Sequence, residues 1–388
     1  MKLYNSQYHV IEEPSFGKDI SIYNCGYSPI EPLHLGNTRP FVVVDQLRHL
    51  LETTHGASVR LVQDISDVDV RVDSRAAELS VSSGELRDRL VASFSTDLAG
   101  IAVSRPTVGP RTSEHVEGAI ELISNLFSLG FAREQNGEVY LAASAPREGV
   151  DFRQLDPEQK VREMMCFSGQ LWDYSKEILL WQPRPERHPR WSSPWGWGAP
   201  SENVPCVVLA HEYIGSTMDI HVGGIDLYPH HEIEMVLGEL STGVTYARTW
   251  IHSGVVETDG VRMANSKGNT IPLRAAINTY GAGAVRLLYL STHYRDTLNA
   301  SHAALIAAHQ RFARLAKMCG PILAKSSRTS ERLELTSEVA HLLDQDMAAE
   351  SAVSSIERTV QQRSELSAAD LRGALSLVKL DTLIERFG

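Results

Sequence analysis

The sequence predicts an α/β protein built around a parallel sheet. The segment ISIYNCG, residues 20–26, alternates apolar and polar side chains as a strand does. The segment that follows it carries an apolar stripe of Val44, Leu47 and Leu51, which predicts a helix. SVRLVQDIS, residues 58–66, then has the composition of a second strand. A strand, a helix and a strand in this order form a βαβ unit, which favours parallel strands joined by a right-handed crossover.

Further patterns place the elements that follow. Pro40 is expected in the first turn of the first helix, and Gly56 in its C-terminal cap. Residues 115–130 have the apolar period of an amphipathic helix, and the Asn-Gly pair at 136–137 predicts a hairpin turn. Residues 145–204 are rich in proline and tryptophan and predict an irregular insertion.

The C-terminal part of the chain is predicted to be mostly helical, with a polar linker at 324–331. These patterns divide the chain into four regions. They are the first half of the sheet domain, the insertion, the second half of the sheet domain and a C-terminal helical bundle, at residues 1–135, 136–204, 205–280 and 281–388.

The composition indicates a soluble protein of 388 residues with a net charge of −11. That charge gives no sign of a broad nucleic-acid footprint, so no DNA partner is expected. Its four cysteines are far apart, which favours a reducing, cytoplasmic environment over a disulfide framework. We find no signal-peptide pattern and no apolar run of membrane-spanning length, so no membrane partner is expected.

The stretch DIHVGGIDLYPHHEIE could form a metal site. Pro229 can begin a helix, because its missing N–H costs nothing in the first turn. His230 and Glu234 would then share one helical face, where an imidazole and a carboxylate can bind one ion. Zinc prefers four ligands, and Cys25 and Cys206 could complete the set. A plain solvated helix start is the alternative, since the motif is short.

Two polar loops could bind phosphate groups. HLGN, residues 34–37, lies between a strand and a helix, where backbone N–H groups attract phosphate and a histidine can donate to a phosphoryl group. RMANSKGNT, residues 262–270, could hold pyrophosphate with its basic side chains. An ordinary capped loop and a simple turn are the respective alternatives.

Taken together and in this order, the segments resemble the class I cysteinyl-tRNA synthetase family. IYNCGYSPIEPLHLGN resembles that family's zinc cysteine followed by its HIGH motif, and LVQDISDVDVRV resembles its TDIDDK segment. DIHVGGIDLYPHHEIE resembles its DIHGGGxDLxFPHHENE block with one residue missing before Pro229, and RMANS stands where the family has KMSKS. The resemblance implies a class I Rossmann-like parallel sheet with an insertion, followed by a C-terminal α-helical bundle.

The resemblance also implies roles for individual residues. The implied zinc ligands are Cys25, Cys206, His230 and Glu234. The implied ATP-binding residues are Gly26, His34, Asn37, Gly223, Gly224, Asp226 and Met263. The implied catalytic residues are His34, Asn37, Ser266 and Lys267. Ser28, Ser66 and Glu202 would contact the amino acid.

The implied reaction begins with attack of the cysteine carboxylate on the α-phosphate of ATP, which is bound with Mg²⁺. Its products are cysteinyl-adenylate and pyrophosphate. Zn²⁺ would select cysteine, because zinc binds a thiolate tightly and a serine hydroxyl poorly. The protein's part is alignment and charge stabilisation. We therefore expect an ATP-dependent ligase with L-cysteine and ATP as substrates.

Three departures from the family pattern bear on function. The second lysine of KMSKS is Asn265, and Lys267 could supply the missing charge. Glu202 stands where the family has a tryptophan over the cysteine site, and its carboxylate could pair with an ammonium group. The chain ends soon after LDQDMAAESAV, whereas the family continues into an anticodon-recognising domain, so no anticodon-binding domain is expected.

These departures favour a tRNA-independent branch of the family, resembling the mycothiol-pathway cysteine ligase. The leading hypothesis is transfer of activated cysteine to a small-molecule amine, for a thiol cofactor or a specialised metabolite. Two alternatives stay open: a cysteinyl-tRNA synthetase, with tRNA as acceptor, and a non-catalytic paralogue of a synthetase.

Overall fold

In the computed structural model, the described residues are 1–141, 178–325, 333–362 and 366–387. The strands are β1 Leu3–Asn5, β2 Val10–Glu12, β3 Asp19–Tyr27, β4 Ser58–Ile65, β5 Ala132–Gln135, β6 Glu138–Leu141, β7 Leu179–Pro183, β8 Gly198–Pro200, β9 Met218–Gly224, β10 Ala247–Ser253, β11 Val256–Thr258, β12 Val261–Arg262 and β13 Leu298–Asn299. The α-helices are α1 Leu35–Thr53, α2 Val70–Glu78, α3 Ser83–Gly100, α4 Val116–Ser128, α5 Asn203–Tyr213, α6 Tyr228–Thr242, α7 Leu273–Tyr280, α8 Ala282–Leu290, α9 His302–Leu323, α10 Glu334–Leu343, α11 Ala349–Gln362, α12 Ala368–Leu377 and α13 Asp381–Glu385.

The central sheet has four parallel strands in the order β10-β9-β3-β4. Ile22 of β3 pairs with Ile220 of β9, and both side chains are fully buried. Burial on both faces is typical of parallel sheets covered by helices, and it explains the apolar runs in these strands. The predicted α/β fold with a parallel sheet is confirmed, and both strands of the predicted βαβ unit lie in it.

Helix α1 begins earlier than the sequence predicted. We expected Pro40 in the first turn, but the helix begins at Leu35 and Pro40 lies inside it. His34 is the N-cap, and its side chain accepts the backbone N–H groups of Gly36 and Asn37. Because Asn37 reciprocates by accepting the His34 backbone N–H, the HLGN segment itself forms a capping box and starts the helix.

A second, antiparallel sheet has the strand order β5-β6-β7-β8. The predicted hairpin is confirmed, with positive φ angles at Asn136 and Gly137 in its turn. The prediction of an irregular 145–204 segment is wrong for its described C-terminal part, because β7 and β8 continue this sheet. The two strands are short and each ends in a proline, so no strand period is visible in the sequence. Residues 142–177 lie outside the described residues.

The C-terminal part is helical, as predicted, and it packs against the sheet domain through α1. Asp45 of α1 is buried and forms ion pairs with Arg286 of α8 and with Lys379, whose Nζ lies 2.6 Å from Asp45 Oδ1. The neighbouring Gln46 donates to the carbonyl of Leu377 at 2.6 Å. The polar linker predicted at 324–331 lies mostly outside the described residues.

The carboxyl ends of β3, β4, β9 and β10 meet at one edge of the central sheet. The loops and helices that leave this edge carry the residues singled out in the sequence. Ligands of open parallel sheets bind at this edge, so the fold places the candidate site there. No helix in the described ranges combines the length and apolar character that a bilayer crossing requires.

Candidate active site

Four residues converge at the carboxyl edge of the sheet. Cys25 comes from β3, Cys206 from α5, and His230 and Glu234 from the first turns of α6. One ligand-type atom from each lies within 4.8 Å of the others. Pro229 lies in the first turn of α6, as predicted. Although this sequence has one residue fewer before Pro229 than the family block, His230 and Glu234 still face the two cysteines. We call these four residues the ligand cluster.

Short contacts connect the ligand cluster internally. Glu234 Oε1 accepts from the Cys25 thiol at 3.1 Å and lies 2.6 Å from His230 Nε2. The Cys206 sulfur lies 3.7 Å from the same His230 nitrogen. Burial raises the pKa of the Cys25 thiol well above its usual value, and Cys206 and Glu234 raise it further. Although burial alone would raise the pKa of Glu234, the facing His230 and His221 hold it well below its usual value.

Two outer residues orient the cluster. The Asn203 side-chain amide lies 2.7 Å from His230 Nδ1 and also donates to the His230 carbonyl at 3.2 Å. His221 Nε2 lies 2.9 Å from Glu234 Oε2, which leaves Oε1 facing the cysteines. Neither contact was predicted from the sequence. No spacing signal marks Asn203, and His221 has no metal-binding role among the sequence predictions.

A chain of buried histidines extends behind the cluster. His221 stacks on Trp250 with ring centroids 4.3 Å apart, and His231 Nδ1 lies 2.8 Å from His252 Nε2. Gly223 packs against His231, and a Cβ at Gly223 would lie 2.3 Å from the ring. The close approach of the His231 ring therefore explains why glycine is needed at this position, and the contact of Gly223 with ATP stays a prediction.

The donor set of the ligand cluster fits a zinc ion. Two thiols, an imidazole and a carboxylate are ligand types that zinc takes in four-coordinate sites. The cluster is buried apart from His230, whose side chain is 16% exposed. A histidine bound to zinc through Nε2 donates its other ring N–H, and the Asn203 side chain lies beside that nitrogen of His230, where its amide oxygen would have to face Nδ1. Of the other cysteines, Cys319 is buried elsewhere, and Cys166 lies outside the described residues.

A cavity of about 330 Å³ opens beside the ligand cluster. We call it the Cys206 cavity. Ser28, Ser66 and Glu202, which were predicted to contact the amino acid, all lie in its wall. The cluster members in its wall are Cys25, Cys206 and His230. The structure thus brings together the metal-type residues and the predicted amino-acid contacts.

Glu202 lies at the mouth of the Cys206 cavity, one helical turn before Cys206. Its side chain is 57% exposed and lies 3.3 Å from Arg71. Arg71 is held more tightly by Asp69, whose carboxylate accepts from Arg71 Nε at 2.8 Å and from its backbone N–H. Glu202 is therefore a loosely held carboxylate at the opening.

A second cavity, of about 590 Å³, adjoins the first and shares Cys25, Gly26 and Ser28 with it. We call it the His34 cavity. Its wall includes His34 and Asn37 at the start of α1, with Gly36 between them. Burial lowers the pKa of His34 to about 4, although Asp226 opposes this. Since His34 Nδ1 accepts backbone N–H groups, the neutral ring carries its proton on Nε2 and can donate there.

Asp226 and Arg262 form an ion pair between the two cavities, with 2.5 Å between Arg262 Nη2 and Asp226 Oδ2. Asp226 follows β9, and Arg262 begins the segment that resembles KMSKS. Gly224, at the end of β9, lies in the wall of the His34 cavity. The sequence analysis singled out Asp226 and the loop that begins at Arg262, but it did not predict their ion pair. Residues so far apart in the chain have no spacing that would reveal a contact.

The KMSKS-like loop borders the His34 cavity. Met263 is buried in its wall, and Asn265 and Ser266 also contribute to it. Lys267 is exposed, and it lies outside the walls of both cavities. Its predicted role therefore requires its flexible side chain, or the loop, to move toward the nucleotide.

Residues 11–310 match the family described as tRNA synthetases class I (C) catalytic domain. The chain belongs to this family. It is 34% identical over 320 residues to the cysteine–tRNA ligase of Pseudothermotoga lettingae, covering 81% of this chain and 68% of that protein. It is 31% identical to the cysteine–tRNA ligase of Clostridioides difficile, covering 100% of this chain and 90% of that protein.

Solved structures share the fold. A methionyl-tRNA synthetase of Mycobacterium tuberculosis with methionyl-adenylate gives a TM-score of 0.62 at 16% identity, covering 95% of this chain and 91% of that one. The LeuRS–tRNA–LeuAMS complex of Agrobacterium radiobacter K84 gives 0.65 at 10% identity, covering 95% and 83%. Class I aminoacyl-tRNA synthetases are ATP-dependent ligases that form an aminoacyl-adenylate, and the predicted enzyme class is confirmed.

Proposed function

We propose that this protein activates L-cysteine with ATP and Mg²⁺ and transfers it to a tRNA, as a cysteine–tRNA ligase. The observation that carries the proposal is the ligand cluster in the wall of the Cys206 cavity, directly beside the His34 cavity. A thiol bound at the cluster would place its carboxylate toward the second cavity. That placement suits attack on the α-phosphate of a nucleotide bound there.

The cluster would hold Zn²⁺ through Cys25, Cys206, His230 and Glu234. Zinc in such a site binds a thiolate and lowers the pKa of a thiol, which favours cysteine over serine. In the protein itself, Asn203 and His221 keep His230 and Glu234 oriented.

The His34 cavity would hold ATP. His34 remains neutral at physiological pH and can donate from Nε2 to a phosphate oxygen. Gly26 and Gly224 leave room along the wall because they have no side chain, and Asn37 adds a polar group there. Met263 and Ser266 border the same space from the loop side, where a cationic side chain would have to meet the pyrophosphate.

The acceptor is proposed from the relatives, because the matched relatives are named cysteine–tRNA ligase. They favour tRNA over the small-molecule amine of our leading sequence hypothesis. One observation still supports an amine as the second candidate. The Glu202 carboxylate at the cavity mouth has only a loose contact with Arg71, so it can receive an ammonium group.

The activation step is tested by ATP–pyrophosphate exchange with zinc-loaded protein and each amino acid in turn. We expect exchange with cysteine and at least about tenfold less with serine, since serine lacks the sulfur ligand. Absence of exchange with every amino acid would contradict activation and favour the non-catalytic alternative.

The acceptor is tested separately with the same preparation. Labelled cysteine and ATP are supplied either with tRNA-Cys or with a panel of small amines, and the products are identified by mass spectrometry. Cysteinyl-tRNA formation supports the proposal. An amide product formed without tRNA would replace it with the second candidate. In that case Glu202→Gln should weaken binding of the amine more than binding of cysteine.

A further inference from the structure

Asp64 is a fully buried carboxylate near the end of β4 that the proposed reaction does not use. Its Oδ1 accepts the backbone N–H of Gly26 at 2.8 Å and the hydroxyl of Tyr23 at 3.2 Å. Its Oδ2 accepts the hydroxyl of Ser66 at 2.6 Å. One carboxylate therefore connects the residue after Cys25 with a wall residue of the Cys206 cavity.

We propose that Asp64 is a positioning residue that prepares Ser66 to bind the α-ammonium group of the amino acid. The Ser66 proton is committed to Asp64, so the hydroxyl can offer only lone pairs to the cavity. A lone pair can accept from an ammonium group but cannot donate to a carboxylate. This inference rests on the proposed activation of cysteine.

The two cavities indicate which substrate group meets Ser66. A thiol bound at the ligand cluster fixes one end of the amino acid, and its carboxylate must point to the His34 cavity to react. Ser66 lies in the wall of the Cys206 cavity and outside that of the His34 cavity. The ammonium group is the remaining polar group of cysteine, and it would lie on the Ser66 side.

The approach of the two strands keeps this arrangement rigid. A Cβ at Gly26 would lie 1.6 Å from the carbonyl oxygen of Asp64, so β3 and β4 come this close only with glycine there. The Gly26 N–H holds Oδ1 of Asp64, which leaves Oδ2 facing Ser66, and because that N–H can only donate, an acceptor is required at the Oδ1 position.

Asp64→Asn is the decisive substitution because it keeps the shape of the side chain and reverses the hydrogen bond between Ser66 and residue 64. The Gly26 N–H requires the amide oxygen at the Oδ1 position, so the amide NH₂ must face Ser66. The Ser66 oxygen then accepts that N–H, and its own proton turns toward the cavity. A donor would meet the ammonium group, and the negative charge behind it would be gone.

The experiment measures binding by calorimetry of two thiols to the zinc-loaded protein: L-cysteine and 3-mercaptopropionate, which lacks the ammonium group. We expect the wild type to bind cysteine more tightly. In Asp64→Asn the affinity for cysteine should fall by about tenfold or more, the range for a lost charge-assisted hydrogen bond. The affinity for 3-mercaptopropionate should change little.

Ser66 variants keep the test valid if Asp64→Asn folds poorly. Ser66→Ala should lose the preference for cysteine, whereas Ser66→Thr should keep it because the hydroxyl remains. Replacing Asp64 by Asn should reduce the affinity for cysteine less in a Ser66→Ala background than in the wild type, since part of the effect of Asp64 passes through that hydroxyl.

Asp67→Asn is the matched control. Asp67 is also a buried carboxylate that accepts three hydrogen bonds, but from Thr112 and Ser113 rather than Ser66. It should lower thermal stability and leave the preference for cysteine unchanged. A loss of preference in this control equal to that in Asp64→Asn would overturn the specific role of Asp64.

The outcomes separate this inference from the proposed function. A wild type that binds both thiols equally overturns the inference but leaves thiol binding intact. Asp64→Asn and Ser66→Ala proteins that keep the full preference for cysteine also overturn it. A zinc-loaded wild type that binds neither thiol overturns the proposed function itself, and the inference with it.

Discussion

The Cys206 cavity and the loop side of the His34 cavity differ in how their functional residues are held. Cys25, Cys206 and Glu234 sit in a strand and two helices and are buried. Asn265 and Lys267 belong to a short exposed turn whose sequence differs from the family motif. The proposed amino-acid end of the site is thus built into the core of the fold, whereas the proposed pyrophosphate end depends on a loop.

This difference shows at which positions of the site a substitution can occur with little loss of folding stability. Replacing a buried ligand leaves its partners unsatisfied in the core, which destabilises the fold as well as the site. Replacing an exposed loop residue changes a charge with little effect on folding. The substituted lysine of the motif falls on the loop side, and the intact ligand cluster falls on the buried side.

The largest effect is expected from Cys206→Ala, which tests the buried side directly. Loss of even an outer partner of a metal ligand costs about 10- to 100-fold in affinity, so loss of a ligand should weaken zinc binding by more than about 100-fold. Bound zinc per chain and ATP–pyrophosphate exchange with cysteine should both fall.

Cys319→Ala is the control for this variant, since Cys319 is buried in the helical bundle. It should retain zinc and exchange. A Cys206→Ala protein that keeps stoichiometric zinc would refute the assignment of the ligand cluster.

The next effect concerns the outer support of the buried side. Asn203→Ala removes the amide beside His230 Nδ1, so we expect zinc affinity to fall by about 10- to 100-fold in competition with a chelator. Asn125→Ala is the control, because that amide also donates to a backbone carbonyl but lies on the surface. Equal zinc affinity of the two variants would mean that Asn203 does not orient His230.

Asn265→Lys sharpens the comparison from the loop side. It restores a charge at the wall of the His34 cavity, so we expect the exchange rate to rise about tenfold, as a charge-assisted contact in the transition state allows. Gln310→Lys adds the same charge to an exposed position of α9 and should change nothing. An unchanged rate in Asn265→Lys would indicate that Lys267 already supplies this charge, and Lys267→Gln should then abolish exchange.

The smallest effect is a dependence of stability on pH at the start of α1. Burial lowers the pKa of His34 from 6.5 to about 4, so the unfolded state binds more protons between these values. The stability that His34 contributes is present above pH 6.5 and is lost as the pH falls toward 4. Between pH 6.5 and pH 5 the loss should be about 1.5 kcal/mol.

Thermal melts of the wild type and of His34→Asn across this range measure that contribution. The variant should lose less stability on acidification than the wild type does. Parallel curves for the two proteins would show that His34 is not neutral and buried in solution.

The sequence predicted the residues of the site better than their supports. Helical spacing puts His230 and Glu234 on one face, and the resemblance to the family singled out Cys25 and Cys206 as the other two members of the ligand cluster. Asn203 and Asp64 were missed, since an amide or a carboxylate that orients a neighbour can come from any element that the fold brings near. The position of Pro40 was wrong for a local reason: the capping box of His34 and Asn37 outweighs the preference of proline for the first turn.

The fold class followed from periodicity, but the second sheet did not. Apolar alternation marks β3 and β4 because both are long and buried. Strands β7 and β8 have five and three residues and obtain their order from pairing with β6 and with each other. Pairing between segments distant in sequence leaves no periodic signal in such short runs.

The contacts of Asp45 with the C-terminal part have a consequence for how the protein is made. Asp45 is synthesised early, but its partner Lys379 lies 334 residues later in the chain. At about 5–20 residues per second, roughly 15–70 s pass before the ribosome delivers that lysine. During this interval the helix that starts at His34 carries an incompletely neutralised carboxylate on a surface that is not yet covered. Slow codons or heat at that stage should therefore reduce the yield of folded protein more than they would for a chain in which neighbouring residues pair with this carboxylate.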